Sequence, residues 1–455
     1  MSQLSTELPE IVIVGGGITG LSAAYIAAKQ GKKVTVLEAA SKFGGLLSTF
    51  EIGGNRLEYY YHHFFTHDEE LIWLIKELGL EDKLFFKKTT MGVFKNGKIY
   101  DFNSPKDLVS FKPISLIDKI KFATTSLYLG KVADWQKYEH VSCMDWFTSW
   151  AGKTTTASLW APLLKIKFGS FASKVPLAWM IGRLKQRMNS RKNGDERLGY
   201  LDGSLQVLLD RLLEELADMN VTLVNNAPVD KINFRGNSIS SIQSAGNSYE
   251  GKNYLFTIPG IYLSKLLIPE QPVLAAALDR IEYFGAVCVI LECNKPLSHI
   301  YWLNVADENF PFGGIIEHTN FIDKDKYAGS HIYYLSRYFA MDEAIATMPG
   351  ESIKELMLQH LPKINTEFDN SWIKNVYVFK TQTAATVCDL NFSQKVPNCK
   401  TNIANMFIAN MSHVYPDERS TNNSIRIALE ALKLLGISST FSGCSNSLSA
   451  KIGFR

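Results

Sequence analysis

The first long apolar run, at residues 11–14, ends in three glycines and is followed by an alanine-rich stretch, 18–30, that stops at Gly31. Apolar and β-branched residues followed by Gly and then Ala predict a strand, a tight turn and a helix. A second run, 34–37, is apolar on both faces and predicts a buried parallel strand. Residues 69–78 carry Leu71, Ile72, Ile75 and Leu78 at helical spacing, with Gly79 as the stop. Residues 91–102 predict a hairpin around Asn96-Gly97. From 105 to 188 the spacing is mainly helical, broken at Pro113, Pro162 and Pro176. Leu205, Leu208, Leu209, Leu212, Leu216 and Met219 mark a further helix, and strands are expected at 221–224, 229–234 and 253–259. Shorter runs at 286–292, 314–317, 331–336 and 376–380 predict a mixed or antiparallel sheet with one face toward a pocket. The pattern closes with a strand at 405–409, a polar loop and a helix ending near Leu435, then a Ser/Gly-rich tail at 438–455 that is expected to be loosely ordered.

Composition narrows this picture. The chain has 455 residues, 46% of them hydrophobic, so about two to three domains and a large core are expected. A net charge of +3 gives no reason to expect a nucleic-acid partner. Six scattered cysteines without a C-x-x-C pair suit a reducing compartment, and no metal site is expected. The first ten residues are polar, so no signal peptide is expected. No apolar run reaches the roughly 18 residues of a membrane span, so a cytoplasmic protein is expected. Aromatic residues make up 12% of the chain, which suits either a wide apolar pocket or simply an aromatic core.

The glycines carry the first chemistry. Gly15, Gly17 and Gly20 fit G-x-G-x-x-G between a strand and a helix. Gly15 allows the turn, Gly17 lets a pyrophosphate approach the backbone, and Gly20 lets helix and strand pack closely. Phosphates would then sit on the helix N-terminus, beside Ile18 and Thr19. Glu38 ends the second strand, where an acid can bond an adenosine ribose. At this level NAD and FAD are equally open, although no second such loop offers an NADPH site. The segment 58–68 holds three His and five aromatic residues among eleven, which reads either as a buried aromatic cluster or as a wall beside a cofactor. The basic run 183–197 reads as a solvated face, with a phosphate-recognising site as the sharper alternative.

Glu38 followed by Ala39, Gly44, Gly45 and Leu46 resembles the extended dinucleotide signature of FAD-dependent amine oxidases, protoporphyrinogen oxidases and carotenoid desaturases. The pattern usually carries Arg where Lys42 and Leu46 stand. The segment after Leu198 resembles the superfamily's second FAD segment, with Val229 at the adenine position. Asn410, Asn422, Asn423, Ser424 and Ile425 lie in a stretch similar to its C-terminal FAD motif, although Asn410-Met411 replaces the usual Gly-acid pair. The resemblance implies FAD as cofactor and an α/β fold with an α+β second domain. A Rossmann-like FAD domain would be built from 1–70, 198–259 and 393–437. A largely helical insertion would span 71–197, and a substrate domain with a mixed sheet would span 260–392. It also implies a small or lipid-like substrate, phosphorylated or isoprenoid, and a hydride passing between flavin and a carbon centre.

Three catalytic candidates, His62, His63 and His318, are chosen because His titrates near neutrality. His63, Phe65 and Asp68 resemble a loop of UDP-galactopyranose mutases, which implies flavin-dependent sugar-nucleotide isomerisation as an alternative. A non-catalytic flavin-binding protein is the third reading. Aligned through Pro296, the position of the amine-oxidase lysine falls near Cys288, which argues against simple amine oxidation. Apolar residues interleaved with lysines at 111–122 resemble the membrane-facing helical domain of protoporphyrinogen oxidases, so peripheral membrane contact is an expectation beside the plainer one of a packed helix with solvated lysines. Cys444 lies past the last helix and is not read as a flavin attachment point.

Overall fold

The computed structural model describes residues 8–192, 195–443 and 452–454. Cys444 and most of the tail lie outside the described residues, and so does part of the basic run. The fold is α/β, built on parallel and mixed sheets.

The strand Ile11–Val14 is wholly buried and pairs in parallel with Val34–Leu37 on one side and Asn253–Phe256 on the other. Thr222–Val224 and Met406–Ile408 complete a five-stranded parallel sheet. Strands far apart in sequence therefore meet in one layer. The helix Ile18–Lys29 covers one face and packs against Gln206–Asp218 and Thr421–Leu434. Its Ala23, Ala24 and Ala27 are fully buried, which lets helices and sheet approach closely. The strand Val229–Arg235 lies in a small antiparallel sheet with Ser238–Ser244 and Asn247–Tyr249.

The second large sheet has seven strands. Tyr283–Cys293 runs through it with all eleven residues buried, between His331–Phe339 and Ile373–Thr386. Pairing is antiparallel except where Trp302–Val305 meets Met91–Lys95 in parallel, so the sheet is mixed. Asn96 and Gly97 both take positive φ, 53° and 70°, as a type I′ hairpin requires. That hairpin lies within 71–197, so the segment is not helical throughout. Its helical part runs through Leu116–Lys131, Cys143–Trp150, Ala161–Phe168 and Leu177–Asn189 around a core containing Trp146, Phe147, Trp160 and Trp179. Ser115 and Ser142 cap two of these helices by accepting from the backbone three residues on. No helix among the described residues is long and apolar enough to cross a membrane.

Candidate active site

The turn after the first strand is shaped by its glycines. Gly15 sits at φ +111°, and a Cβ on Gly20 would lie 2.0 Å from the Gly15 carbonyl oxygen. A Cβ on Gly17 would meet nothing within 4 Å, so the backbone there faces open space. The helix Ile18–Lys29 begins at Gly17 with no side-chain cap and no acid in its first turn. Its dipole and its N–H groups at Ile18, Thr19 and Gly20 are thus left for an anion. Glu38 binds the Gly16 N–H at 2.6 Å and the Ala40 N–H at 2.8 Å, which fixes its carboxylate at the rim. Gly44 donates to the Gly16 carbonyl at 2.8 Å, and Gly45, at φ +58°, brings its own Cβ position to 3.3 Å from the Gly17 Cα. The two glycine pairs therefore form one backbone cradle, with Leu46 half-buried beside it. Ala39 is exposed at the opposite end, where Asn226 donates to Ala40 and Ala227 donates to Glu38. The half-buried Val229 follows directly. This open cradle fits an adenine dinucleotide.

The C-terminal candidates behave differently. Asn410 accepts from Ser412 N–H and Oγ and donates to the Ile258 carbonyl at 3.0 Å. It fastens the ends of two strands. Asn422 accepts from Leu71 N–H at 2.9 Å and donates to Glu70 at 2.8 Å, while Asn423 donates to the Glu418 carbonyl at 2.5 Å. Ser424 bonds back to the Ser420 carbonyl, and Ile425 is fully buried. These side chains brace the helix Thr421–Leu434. The helix N-terminus also lacks an acid in its first turn, and Ser420 caps it by accepting from the Asn423 N–H.

His62 and His63 stand on an aromatic wall. His62 Nδ1 lies 2.5 Å from the Tyr60 carbonyl, which can only accept, so Nδ1 carries the proton and Nε2 is left as an acceptor. Burial, with Arg419 nearby, pushes its pKa down to about 4. His63 meets the Tyr301 hydroxyl at 3.1 Å and stands edge-on to Trp302 with ring centres 5.3 Å apart; burial and then Arg187 and Arg183 hold it well below its usual value. Both imidazoles are neutral at pH 7. His318 belongs to another cluster. It bonds the Tyr327 hydroxyl at 2.8 Å among Tyr200 and Tyr334, one aromatic layer behind Tyr61, and burial lowers its pKa to about 3.

The sequence model described as flavin containing amine oxidoreductase matches residues 18–389. The chain belongs to that family. Among curated relatives, flavin-containing amine oxidase A of Equus caballus is 26% identical over 319 residues, 66% of this chain and 59% of that protein. The chain therefore spans about three-fifths of that relative's length. Many solved structures share the fold. Cyclohexylamine oxidase from Brevibacterium oxydans gives a TM-score of 0.72 at 14% identity, covering 94% of this chain and 99% of that one. A reduced UDP-galactopyranose mutase gives 0.73 at 14% identity, covering 97% of each chain.

Family membership implies FAD as the cofactor, and the open cradle at Gly17, Gly44 and Gly45 fits it. The matched region, 18–389, leaves out Gly15 and Gly17 at one end and Asn410 and the last helix at the other. Cys288 is buried in mid-strand at 2% exposure, and burial pushes its thiol up to about 12, so it stays a neutral thiol. The wall also holds residues that sequence patterns do not single out. Lys167, Arg419 and Glu418 line a pocket with Phe168, Trp179 and Tyr338. Lys167 pairs with Glu418, and its ammonium lies 4.8 Å over Trp179. Arg419 donates to the Tyr338 hydroxyl. Arg187 lies 5.6 Å from the Trp302 ring centre and bonds Glu196 at 2.8 Å. The signal for Arg183 and Arg187 lay in the basic run, but only the turn of Leu177–Asn189 against the wall brings them beside His63.

Proposed function

We propose that this chain is an FAD-dependent oxidoreductase that moves a hydride between flavin and a carbon centre of a small or lipid-like substrate. The observation that carries this reading is the single cradle made by Gly17, Gly44 and Gly45, backed by membership of a flavin-containing oxidoreductase family. FAD, when bound, supplies the hydride acceptor or donor. The chain's own residues orient substrate and manage protons. Tyr61, Trp302 and His63 make edge contacts that form a stiff aromatic face. His62, neutral and with Nε2 unprotonated, is suited to take a proton from a substrate heteroatom. Cofactor-binding roles go to the backbone of residues 15–20 and 44–46, to Glu38, to the 39–40 and 226–229 edges, and to the N-terminus at 421–422. His318 is assigned to the supporting layer.

A second reading, isomerisation of a sugar nucleotide as the name of the mutase neighbour suggests, is favoured by the cations around His62 and His63. The purified holoprotein separates the two. Turnover that consumes an electron acceptor and changes the substrate's oxidation state supports the oxidoreductase. Isomerisation that needs prior reduction and consumes no oxidant overturns it.

The outer face of Leu116–Lys131 supports peripheral membrane contact. Leu116, Ile117, Ile120 and Leu127 are each more than half exposed, and Trp150 is 69% exposed beside them. Tyr128, Trp146 and Trp150 stack in series, joining this face to the neighbouring helix. Aromatic residues and lysines bordering an apolar face suit a bilayer surface.

A further inference from the structure

Arg183 and Arg187 act on His63 and Arg419 on His62, and Lys167 joins Arg183 and Arg419 around Glu418. Their carboxylate partners do not match them in number. Glu196 takes Arg187 at 2.8 Å. Asp417 also lines the pocket, but it is engaged by Arg426 at 3.3 Å. Glu418 is shared, touching Lys167 closely and Arg183 only at 4.0 Å. Arg419 has the Tyr338 hydroxyl, a neutral group, and its Nε is buried with no partner. Glu418 is thus shared by Lys167, Arg183 and Arg419, while Glu196 and Asp417 nearby are engaged by Arg187 and Arg426. The rest of the pocket lining is uncharged apart from Asp417, with Phe168, Trp179, Phe284 and Met411 as its apolar walls.

Buried charge without a partner is costly, and a guanidinium with an unused N–H presents a planar fork suited to a carboxylate or phosphate. A protonated amine in the same space would meet three like charges, and both carboxylates there, Glu418 and Asp417, are already engaged by Lys167 and Arg426. We propose that this pocket selects substrates bearing an anionic group, a phosphate or a carboxylate, held by Arg419 and Arg183 with Lys167 as the third contact. The proposal rests on the oxidoreductase reading above and places one end of the substrate in this pocket. It deepens that reading by giving the substrate a charge opposite to that of a simple amine. The anionic group anchors one end of the substrate, and the aromatic wall at Tyr61 and Trp302 packs the rest.

The test uses the FAD-loaded protein titrated separately with inorganic phosphate, acetate and cyclohexylamine. Binding is read by calorimetry and by perturbation of the visible flavin spectrum. The expected result is saturable binding of phosphate or acetate, no binding of the amine, and at least tenfold weaker anion binding in Arg419→Gln and in Arg183→Gln. The stronger of the two anions identifies the group. Arg419→Lys, which keeps the charge and loses the fork, is expected to recover only part of the affinity. Anion binding that is absent, or equal in wild type and in both Gln variants, overturns the proposal. So does tighter binding of the amine than of either anion. The flavin content of each preparation is measured in parallel. A colourless protein that still binds phosphate through Arg419 counts against the flavin reading and for the anion site, so the two failures are distinct.

Discussion

At the scale of single residues, Gly17 and Gly20 make opposite predictions although they share a motif. A side chain at Gly17 enters open space, so Gly17→Val should lose FAD while its apoprotein melts at the same temperature as the wild-type apoprotein. A side chain at Gly20 meets the Gly15 carbonyl, so Gly20→Val should lower the melting temperature as well. Thermal melting and released-flavin fluorescence on both variants check this. Equal FAD content in Gly17→Val and wild type would contradict the cradle. Asp68 offers a pH test. It is buried, accepts from Phe65 N–H at 2.8 Å, and burial raises its pKa from 3.8 to about 7. Between those values the folded chain keeps a proton that the unfolded chain has lost, so this group's contribution to stability falls as pH rises through that window. Asp68→Asn keeps the acceptor and removes the titration. Its melting temperature relative to wild type should climb from pH 4 to pH 7, and a constant difference would contradict this assignment. Lys167 acts in the other direction. Burial lowers its pKa to about 8, facing Glu418, Arg183, Arg419 and the rings of Trp179 and Tyr338. Its positive charge is lost as pH rises through that value. Anion affinity should therefore weaken above about pH 8 in wild type and much less in Lys167→Met.

At the scale of elements, the helix Thr421–Leu434 is held by polar clamps as well as by its apolar face. Arg426 meets Glu70 at 2.7 Å, with only 10% and 3% of the two side chains exposed. Removing Arg426 leaves a buried carboxylate short of a partner. Arg426→Ala should cost about 3–5 kcal/mol of stability, measured by denaturant unfolding, and a loss under about 1 kcal/mol would contradict the clamp. This shows what the sequence could disclose. The dinucleotide turn is legible because its strand, glycines and helix are contiguous and their spacing has one physical reading. The hairpin at Asn96-Gly97 is legible for the same reason. Asn422 and Asn423 look like cofactor contacts in the chain, yet their partners, Glu70, Leu71 and the Glu418 carbonyl, show that they brace the helix. The exposed face of Leu116–Lys131 carries the membrane prediction. Ile117→Glu together with Ile120→Glu should abolish sedimentation with phosphatidylserine vesicles and leave the fold intact; wild-type protein that stays in solution would contradict it.

At the scale of the molecule, the pocket is assembled from residues near 167, 179, 284, 338, 386 and 419, and no local pattern joins them. Arg183 reads in the chain as part of a solvated run because its neighbours Lys185, Arg191 and Lys192 are charged too. Only packing of Leu177–Asn189 against the His62–His63 wall separates the pocket cations from the others. Cofactor and architecture are thus written locally, while the chemistry of the substrate is written in tertiary contacts. The family relationship does not bridge that gap, since identity is near 26% and the relatives are longer.

The most direct test of the account is the flavin itself. The full chain, purified and reconstituted with FAD, should be yellow, release FAD in stoichiometric amount on denaturation, bleach on reduction, and regain colour with an electron acceptor. A folded chain that stays colourless and takes up no FAD would contradict the account.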